Sequence, residues 1–225
     1  ELLYLFPDID SYSIIANTLY LQGKYAKAIP FFIAYYDAAS KSCDLDNMIY
    51  AKMSLGSVYA CLFDMNTCIE EYNQAIKLID CTHSSNYKDI IYYNIGATYT
   101  ELKQYDKALE YLSKTKMKDM LYYHKLAICY EKTGKHKKAL VAISKGKEFH
   151  SEHSYLLDIV EYRLLHKNYI HEIEYEKLLC DTLECVRHEL PHGFLAMQEN
   201  DLLEYYEENR RYKDAYVLLK KQMQK

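Results

Sequence analysis

The chain has 225 residues, of which 50% are hydrophobic and 27% are charged, so it is long enough to bury a substantial core. Only 6 Gly and 3 Pro occur in it, which leaves little material for hairpin turns and favours helices over a sheet-rich fold. The formal charge of −4, from 28 basic and 32 acidic side chains, would repel a polyanion, so we expect no nucleic-acid binding by this fragment alone.

The first predicted helix pair shows a pattern that the next three pairs repeat. A small residue is followed nine positions later by a bulky one, and three positions after that by another small one. Small residues on facing helices allow a close approach, while the bulky residues fill the space above and below. The four copies are Ala16, Tyr25 and Ala28; Gly56, Met65 and Cys68; Gly96, Tyr105 and Ala108; and Ala127, His136 and Ala139.

Short polar links join the two helices of each predicted pair. Gly23 and Gly134 lie in two of these links and suit a left-handed helix end. The pattern weakens later in the chain. At Val160, Tyr169 and Glu172 only the central aromatic residue is kept, and Tyr212 and Ala215 recover the end of the pattern. We therefore expect a degenerate fifth pair and a sixth pair that closes the array.

These stretches resemble tetratricopeptide repeats. The resemblance is carried by segments 15–29, 94–109 and 126–140, which follow the pattern in phase. It implies an all-α, right-handed α-solenoid of about six helix pairs. The first small residue recurs after 40, 40 and 31 residues, against a usual period of about 34 for this family.

The resemblance also implies one superhelical domain over residues 1–225, with clear repeats at about 10–148 and degenerate repeats at about 152–225. Elongated helix pairs of this kind resemble the C-terminal sensor domains of bacterial peptide-responsive regulators that carry a helix-turn-helix head. Because the chain starts at Glu1 with an apolar segment, we expect it to be a fragment that lacks an N-terminal domain.

In such a solenoid the first helix of each pair lines a concave groove, and side chains beside the small packing residue point into it. The groove of this chain would combine aromatic rings, amides and hydroxyls with few charges, which suits an extended peptide or a segment of a partner protein. The predicted contact residues are Asn17, Tyr20, Tyr50, Met53, Ser54, Ser57, Tyr93, Asn94, Glu101, His124, Lys125 and Glu131.

Asn17 and Asn94 are the two groove residues of most interest. The resemblance implies that asparagine at these places holds a ligand backbone. The paired lysines of a carboxylate clamp are missing, which argues against recognition of a free C-terminus. The alternative for either residue is an amide that is simply solvated on a helix surface.

One cluster has the residue types of a zinc site. Cys180, Cys185, His188 and His192 form a C-x4-C-x2-H-x3-H pattern. On a continuous helix the two cysteines would be separated by about 140° around the axis, so we expect no metal here. The chain also has no G-x-S-x-G elbow and no glycine-rich phosphate loop, so we expect no cofactor and no catalytic residue.

The 7 cysteines are an odd number without a C-x-x-C pair, which favours reduced thiols and a cytoplasmic location. No apolar run reaches the roughly eighteen residues of a membrane helix, so no membrane partner is expected. Our leading interpretation is the peptide-binding sensor and oligomerisation part of a cytoplasmic transcriptional regulator, with a homodimer as one option. The alternative is a stand-alone scaffold for protein–protein interaction, and an enzyme is the least favoured class.

Overall fold

The computed structural model describes the backbone of residues 9–82, 87–189 and 192–222, and the side chains of 9–81, 87–186 and 199–221. These residues form twelve α-helices and one 3-10 helix at Tyr169–His171, with no strand among them. In chain order the helices are α1 (Ile9–Leu21), α2 (Tyr25–Lys41), α3 (Leu45–Cys61), α4 (Met65–Thr82), α5 (Lys88–Glu101), α6 (Tyr105–Lys114), α7 (Met120–Lys132), α8 (His136–Lys147), α9 (Tyr155–Leu165), α10 (Ile173–Glu189), α11 (His192–Glu208) and α12 (Tyr212–Gln222).

The chain divides into two compact units, residues 1–117 (unit one) and residues 118–225 (unit two). Unit one holds the helix pairs α1/α2, α3/α4 and α5/α6, and unit two holds α7/α8, α9/α10 and α11/α12. The prediction of an all-α chain built from six helix pairs is confirmed. The prediction of one continuous domain over residues 1–225 stays a prediction.

Aspartates begin two of the first helices. The carboxylate of Asp44 accepts a hydrogen bond from the Asn47 backbone N–H at 3.1 Å, and that of Asp119 accepts one from the Tyr122 N–H at 2.8 Å. Each bond satisfies a backbone donor that the helix itself leaves without a partner. The sequence thus specifies where α3 and α7 start.

The links inside the pairs share one backbone conformation. Gly23 and Gly134 both have φ of 71°, as predicted, and Phe63, Lys103 and Arg210 occupy the same left-handed region at φ 61°, 58° and 57°. In the first link the Lys24 N–H donates to the Leu19 carbonyl at 2.9 Å, which satisfies a free carbonyl at the end of α1. Between α9 and α10 the link is longer and contains the 3-10 helix, consistent with a degenerate fifth pair.

The predicted small residues lie at close helix contacts in unit one. A Cβ added at Gly56 would lie 2.6 Å from the Tyr72 ring, and one added at Gly96 would lie 2.8 Å from Cγ of Leu112. Both distances are shorter than van der Waals contact allows, so neither site accepts a side chain without displacing its neighbour. Ala127 and Ala139 of the fourth pair are fully buried.

Buried apolar residues follow the same alternation of small and large side chains. One cluster of unit one packs α1, α2 and α3 together, and a second packs α3, α4 and α5. None of the helices in the parts of the chain that the structure describes is long and apolar enough to cross a membrane.

Candidate functional site

The first helices of unit one carry a row of polar and aromatic side chains that runs from α1 to the start of α5. The Tyr50 hydroxyl donates to Oδ1 of Asn17 at 3.0 Å, and the Tyr50 ring lies 6.1 Å from the Tyr87 ring, centroid to centroid. We call the surface that contains this row and continues along α5 the first-helix face. Its members Asn17, Tyr50 and Tyr87 come from three successive helix pairs.

Asn17 is held by its own helix as well as by Tyr50. Its Nδ2 donates to the Ser13 carbonyl at 2.8 Å and lies 3.2 Å from the Ser13 hydroxyl. Both ends of the Asn17 amide therefore have partners inside unit one. A ligand could pair with this amide only in competition with those bonds.

Asn94 differs from Asn17 in this respect. Its side-chain amide is half-buried and makes no hydrogen bond within the part of the chain that the structure describes. Asn94 lies seven residues after Tyr87, so the two occupy the same side of α5, two turns apart. The first-helix face thus presents one amide that is partly shielded from water and still has both its donor and its acceptor free.

The other predicted residues of α1 and α3 contribute mostly to packing. The Tyr20 hydroxyl lies 3.9 Å from Sγ of Cys61, and burial raises the pKa of Tyr20 above its usual range. Ser57 shares a hydrogen bond of 3.0 Å with the Tyr72 hydroxyl of α4. Ser54 is buried and Met53 is half-buried against the second apolar cluster.

On α5, the remaining predicted residues Tyr93 and Glu101 are half-buried, and both have interactions within the chain. The cations of the first helices are also engaged. Helices α1, α3 and α5 contain only Lys52 and Lys88 as basic residues, and each forms an ion pair of 2.8 Å with an acidic side chain of α4. The first-helix face therefore offers amides, hydroxyls and rings but no unpaired ammonium group.

The three predicted residues of α7 lie in unit two, and the structure places them in its interior. His124 is 1% exposed and Lys125 is 4% exposed. Nδ1 of His124 has no hydrogen-bond partner, and burial lowers the pKa of His124 well below its usual range, with Lys125 and Arg163 lowering it further. Neither side chain lies open to a ligand in this conformation.

Glu131, the third of them, belongs to a buried ion-pair network that sequence reasoning missed. Its carboxylate accepts two hydrogen bonds of 2.7 Å from Nε and Nη2 of Arg163 on α9. Nη1 of Arg163 also donates to Asp201 of α11 at 3.2 Å and to the Tyr175 hydroxyl at 3.4 Å. The network joins four helices of unit two, and its members are 12 to 38 residues from Arg163 in the chain.

Sequence reasoning also missed Tyr87, although a signal for it existed. Tyr87 precedes Asn94 by seven residues, a spacing that returns a helix to the same face. Tyr35 was missed as well. Its hydroxyl donates to Oδ1 of Asn47 at 2.6 Å, and its ring packs edge-on against the Tyr50 ring, with the two centroids 6.2 Å apart. These contacts hold Tyr50 in place from the side of α2.

The zinc pattern spans α10 and the start of α11, where residues 188–192 also form an H-E-x-x-H sequence that sequence reasoning missed. Cys180 is exposed and Cys185 half-buried on α10, whereas the side chains of His188 and His192 lie outside the described residues. Among the described side chains, no group of three or more His, Cys, Asp or Glu is placed to hold a metal ion. The absence of a metal site, of a cofactor and of catalytic residues stays a prediction.

Comparison with known proteins supports the repeat architecture. A model of the tetratricopeptide repeat matches residues 90–114, which cover most of α5 and all of α6. The chain has a tetratricopeptide-type solenoid fold. No curated protein sequence matches it.

Several solved structures are similar to the chain at low sequence identity. Aspartyl phosphate phosphatase F from Bacillus subtilis superimposes with a TM-score of 0.73 and 14% identity, over 99% of this chain and 61% of that one. A Rap protein complexed with competence and sporulation factor gives 0.69 and 14%, over 99% and 65%. YrrB, a tetratricopeptide protein with an unusual peptide-binding site, gives 0.53 and 16%, over 85% and 92%. The chain therefore spans less than two thirds of the first two proteins, and the likeness concerns the fold.

Proposed function

We propose that the first-helix face of unit one binds an extended segment of a peptide or partner protein, with Asn94 as a central contact. The observation that carries the proposal is the Asn94 amide, which is half-buried and without a hydrogen-bond partner in the described chain. The Asn side chain offers N–H donors and a carbonyl acceptor together, and a peptide unit needs one of each when its backbone leaves water.

The charge of the first-helix face supports the same class of ligand. Since Lys52 and Lys88 are paired with α4, the face has no cation for a terminal carboxylate or a phosphate. The rings of Tyr50 and Tyr87 instead suit the apolar parts of side chains. Recognition would thus depend on backbone hydrogen bonds and aromatic packing along an internal stretch of the ligand.

Two similar structures have a bound factor or a peptide-binding site. The Rap protein was solved with competence and sporulation factor, and YrrB has a peptide-binding site. We further propose that this chain is the sensor part of a cytoplasmic regulator of transcription, in which a short peptide changes the state of an attached domain. The alternative is a stand-alone scaffold, and a helix-turn-helix segment in the full-length protein would favour the regulator.

Peptide selection followed by calorimetry tests the binding proposal. Linear peptides selected from a phage-displayed library on the immobilised chain would be titrated into the parent and Asn94→Ala. We expect the variant to bind about 1 to 3 kcal/mol more weakly, which is roughly 5- to 150-fold in Kd, at unchanged helical content. Asn66→Ala is the matched control, because Asn66 is exposed on the second helix α4.

The roles of the other predicted contacts need separate variants. Asn17→Ala removes the acceptor of Tyr50 and the donor to Ser13, so we expect a stability loss of about 1 kcal/mol whether or not a ligand is present. Failure to select any peptide, or equal affinities of the parent and Asn94→Ala, would remove the site assignment. Tyr20, Met53, Ser54, Ser57, Tyr93, Glu101, His124, Lys125 and Glu131 stay predicted ligand contacts.

A further inference from the structure

Helix α8 of unit two and the link before it concentrate positive charge. Residues 132–147 contain six lysines and one histidine but no acidic residue, although acidic side chains outnumber basic ones in the whole chain, 32 to 28. Lys147 is paired with Asp158 at 2.7 Å. The exposed Lys137 and Lys145, in contrast, form no ion pair with any residue that the structure describes.

The lysines of α8 surround an exposed apolar centre. Lys137, Val141 and Lys145 are spaced by four residues, so they lie along one side of the helix. Val141 is 56% exposed, and the neighbouring Leu140 is 38% exposed. The opposite side of α8 is buried in unit two. We call Lys137, Lys138, Leu140, Val141 and Lys145 the α8 face.

The stability of α8 does not account for its lysines. The start of a helix carries a partial positive charge, so acidic side chains are favoured in the first turn and basic ones are disfavoured. Helix α6 follows this rule with Asp106, at the position where α8 has Lys137. Lys135, the N-cap residue of α8, makes no capping hydrogen bond through its side chain. A local preference is therefore broken on the same surface that exposes apolar side chains.

We propose that the α8 face binds a short acidic helix of a partner protein. Carboxylates of that helix would lie opposite Lys137 and Lys145, whose charge has no partner within the described chain. An apolar side chain between the carboxylates would cover Val141 and remove it from water. Because the α8 face repeats once per helical turn, an amphipathic helix along α8 matches its spacing. This proposal does not depend on the first-helix face, which lies in unit one.

Two other anionic partners match the α8 face less well. Nucleic acid offers phosphates but no apolar group for Val141, and segment 132–147 has no arginine for bidentate phosphate contacts. Helices that bind anionic membranes insert their apolar side into lipid, whereas the apolar side of α8 is buried. The next second helix, α10, exposes Glu174, Asp181 and Glu184, which would repel a polyanion long enough to reach them.

Fluorescence anisotropy with a designed probe tests the proposal. The probe is a labelled peptide of about 18 residues made of leucine, alanine and glutamate, with leucines at alternating spacings of three and four. A second peptide has the same composition and charge but scattered leucines. The chains to titrate are the parent, the double variant Lys137→Glu/Lys145→Glu, and Val141→Ser. All three positions are exposed, so these changes should not unfold the chain.

Matched controls place the same changes on other second helices. Lys27→Glu/Lys77→Glu alters the net charge equally at exposed positions of α2 and α4. Ile33→Ser removes an exposed apolar side chain of α2. Asn94→Ala should bind the acidic probe as the parent does, so this proposal and the proposed function can fail separately.

We expect the parent to bind the patterned probe with a Kd below about 100 µM. Binding should be at least about tenfold weaker for Lys137→Glu/Lys145→Glu and about threefold weaker for Val141→Ser, with the controls within about twofold of the parent. A parent that does not bind, equal losses in the two double variants, or equal binding of the scattered peptide would each overturn the proposal. Duplex DNA or phosphatidylserine vesicles that bind the parent more tightly than the probe does, with no effect of Val141→Ser, would assign the α8 face to polyanions instead.

Discussion

Unit one and unit two are both built from three helix pairs, yet different interactions hold their interiors together. In unit one, Gly56 and Gly96 allow Tyr72 and Leu112 to pack directly on the helix backbone. In unit two, Arg163 joins Glu131 and Asp201 of neighbouring helices by hydrogen-bonded ion pairs. Close packing against helix backbone stabilises the interior of unit one, whereas buried ion pairs contribute to the interior of unit two.

The difference follows from the repeat pattern. In the fifth pair, Val160 occupies the place of the small residue, so the second helix cannot approach as it does at Gly96. The link to α10 is longer there and includes the 3-10 helix. Unit two also has a close glycine contact, because a Cβ added at Gly146 would lie 2.7 Å from Cδ1 of Leu157. Where the pattern lapses, polar side chains supply specific contacts that close packing no longer provides.

The largest effect is expected from breaking the buried network. Arg163→Met leaves the carboxylate of Glu131 buried without its partner, so we expect a loss of about 3 to 5 kcal/mol in stability. Urea denaturation followed by circular dichroism measures it. Lys114→Met is the control, because its ion pair with Glu110 is exposed and should contribute less than about 1 kcal/mol. Equal losses for both variants would contradict a structural role of the network.

A change at the glycine contact tests unit one in the same way. Gly96→Leu places a side chain where even a Cβ would lie 2.8 Å from Leu112, and we expect overpacking to cost about 1 to 3 kcal/mol. Thermal denaturation compares it with Ala26→Leu, a change at an exposed position of α2. A Gly96→Leu variant as stable as the parent would show that the close approach of α5 and α6 does not contribute to stability.

Acidification should affect unit two through His124. Its pKa in the folded chain is lowered by burial and by Lys125 and Arg163, so the unfolded chain binds the proton more readily. The stability gained by keeping His124 neutral is therefore present above pH of about 6.5 and is lost as the pH falls below it. Between pH 7.5 and 5.5 we expect the parent to lose about 1.4 kcal/mol more than His124→Leu.

Denaturation series at the two pH values measure this difference. His136→Leu is the control for the loss of a histidine side chain, because His136 is exposed at the start of α8. A His124→Leu series that runs parallel to that of the parent would show that protonation of His124 does not limit stability.

The smallest effect concerns a feature that both units share, the left-handed link. Gly134→Ala adds a Cβ with nothing within 4 Å but keeps φ of 71°, so we expect a cost of about 1 kcal/mol from the backbone alone. Lys103→Gly in unit one should raise stability by about 0.5 kcal/mol, because Lys103 has φ of 58°, a conformation that glycine adopts without strain. Calorimetric melting temperatures compare the two, and shifts of the same sign would contradict a common link geometry.

Much of the fold could be predicted because it depends on local pattern. Small residues at Gly56 and Gly96, the left-handed Gly23 and Gly134, and the weak fifth pair were all predicted from spacing. The candidate site was harder to predict. Spacing places Asn17 and Asn94 at comparable positions on their helices. Their hydrogen bonding differs, because Asn17 is paired with Tyr50, which lies 33 residues away in the sequence.

The sequence by itself determined the helix pairs, their links and the faces on which small residues meet. These features repeat every few residues along one helix, so the pattern of side chains is enough to encode them. Only the tertiary structure decided that the Asn94 amide lacks a partner and that Glu131 is bound to Arg163. Each of these depends on which distant side chains pack nearby, and no local period encodes the partners of a side chain across helices.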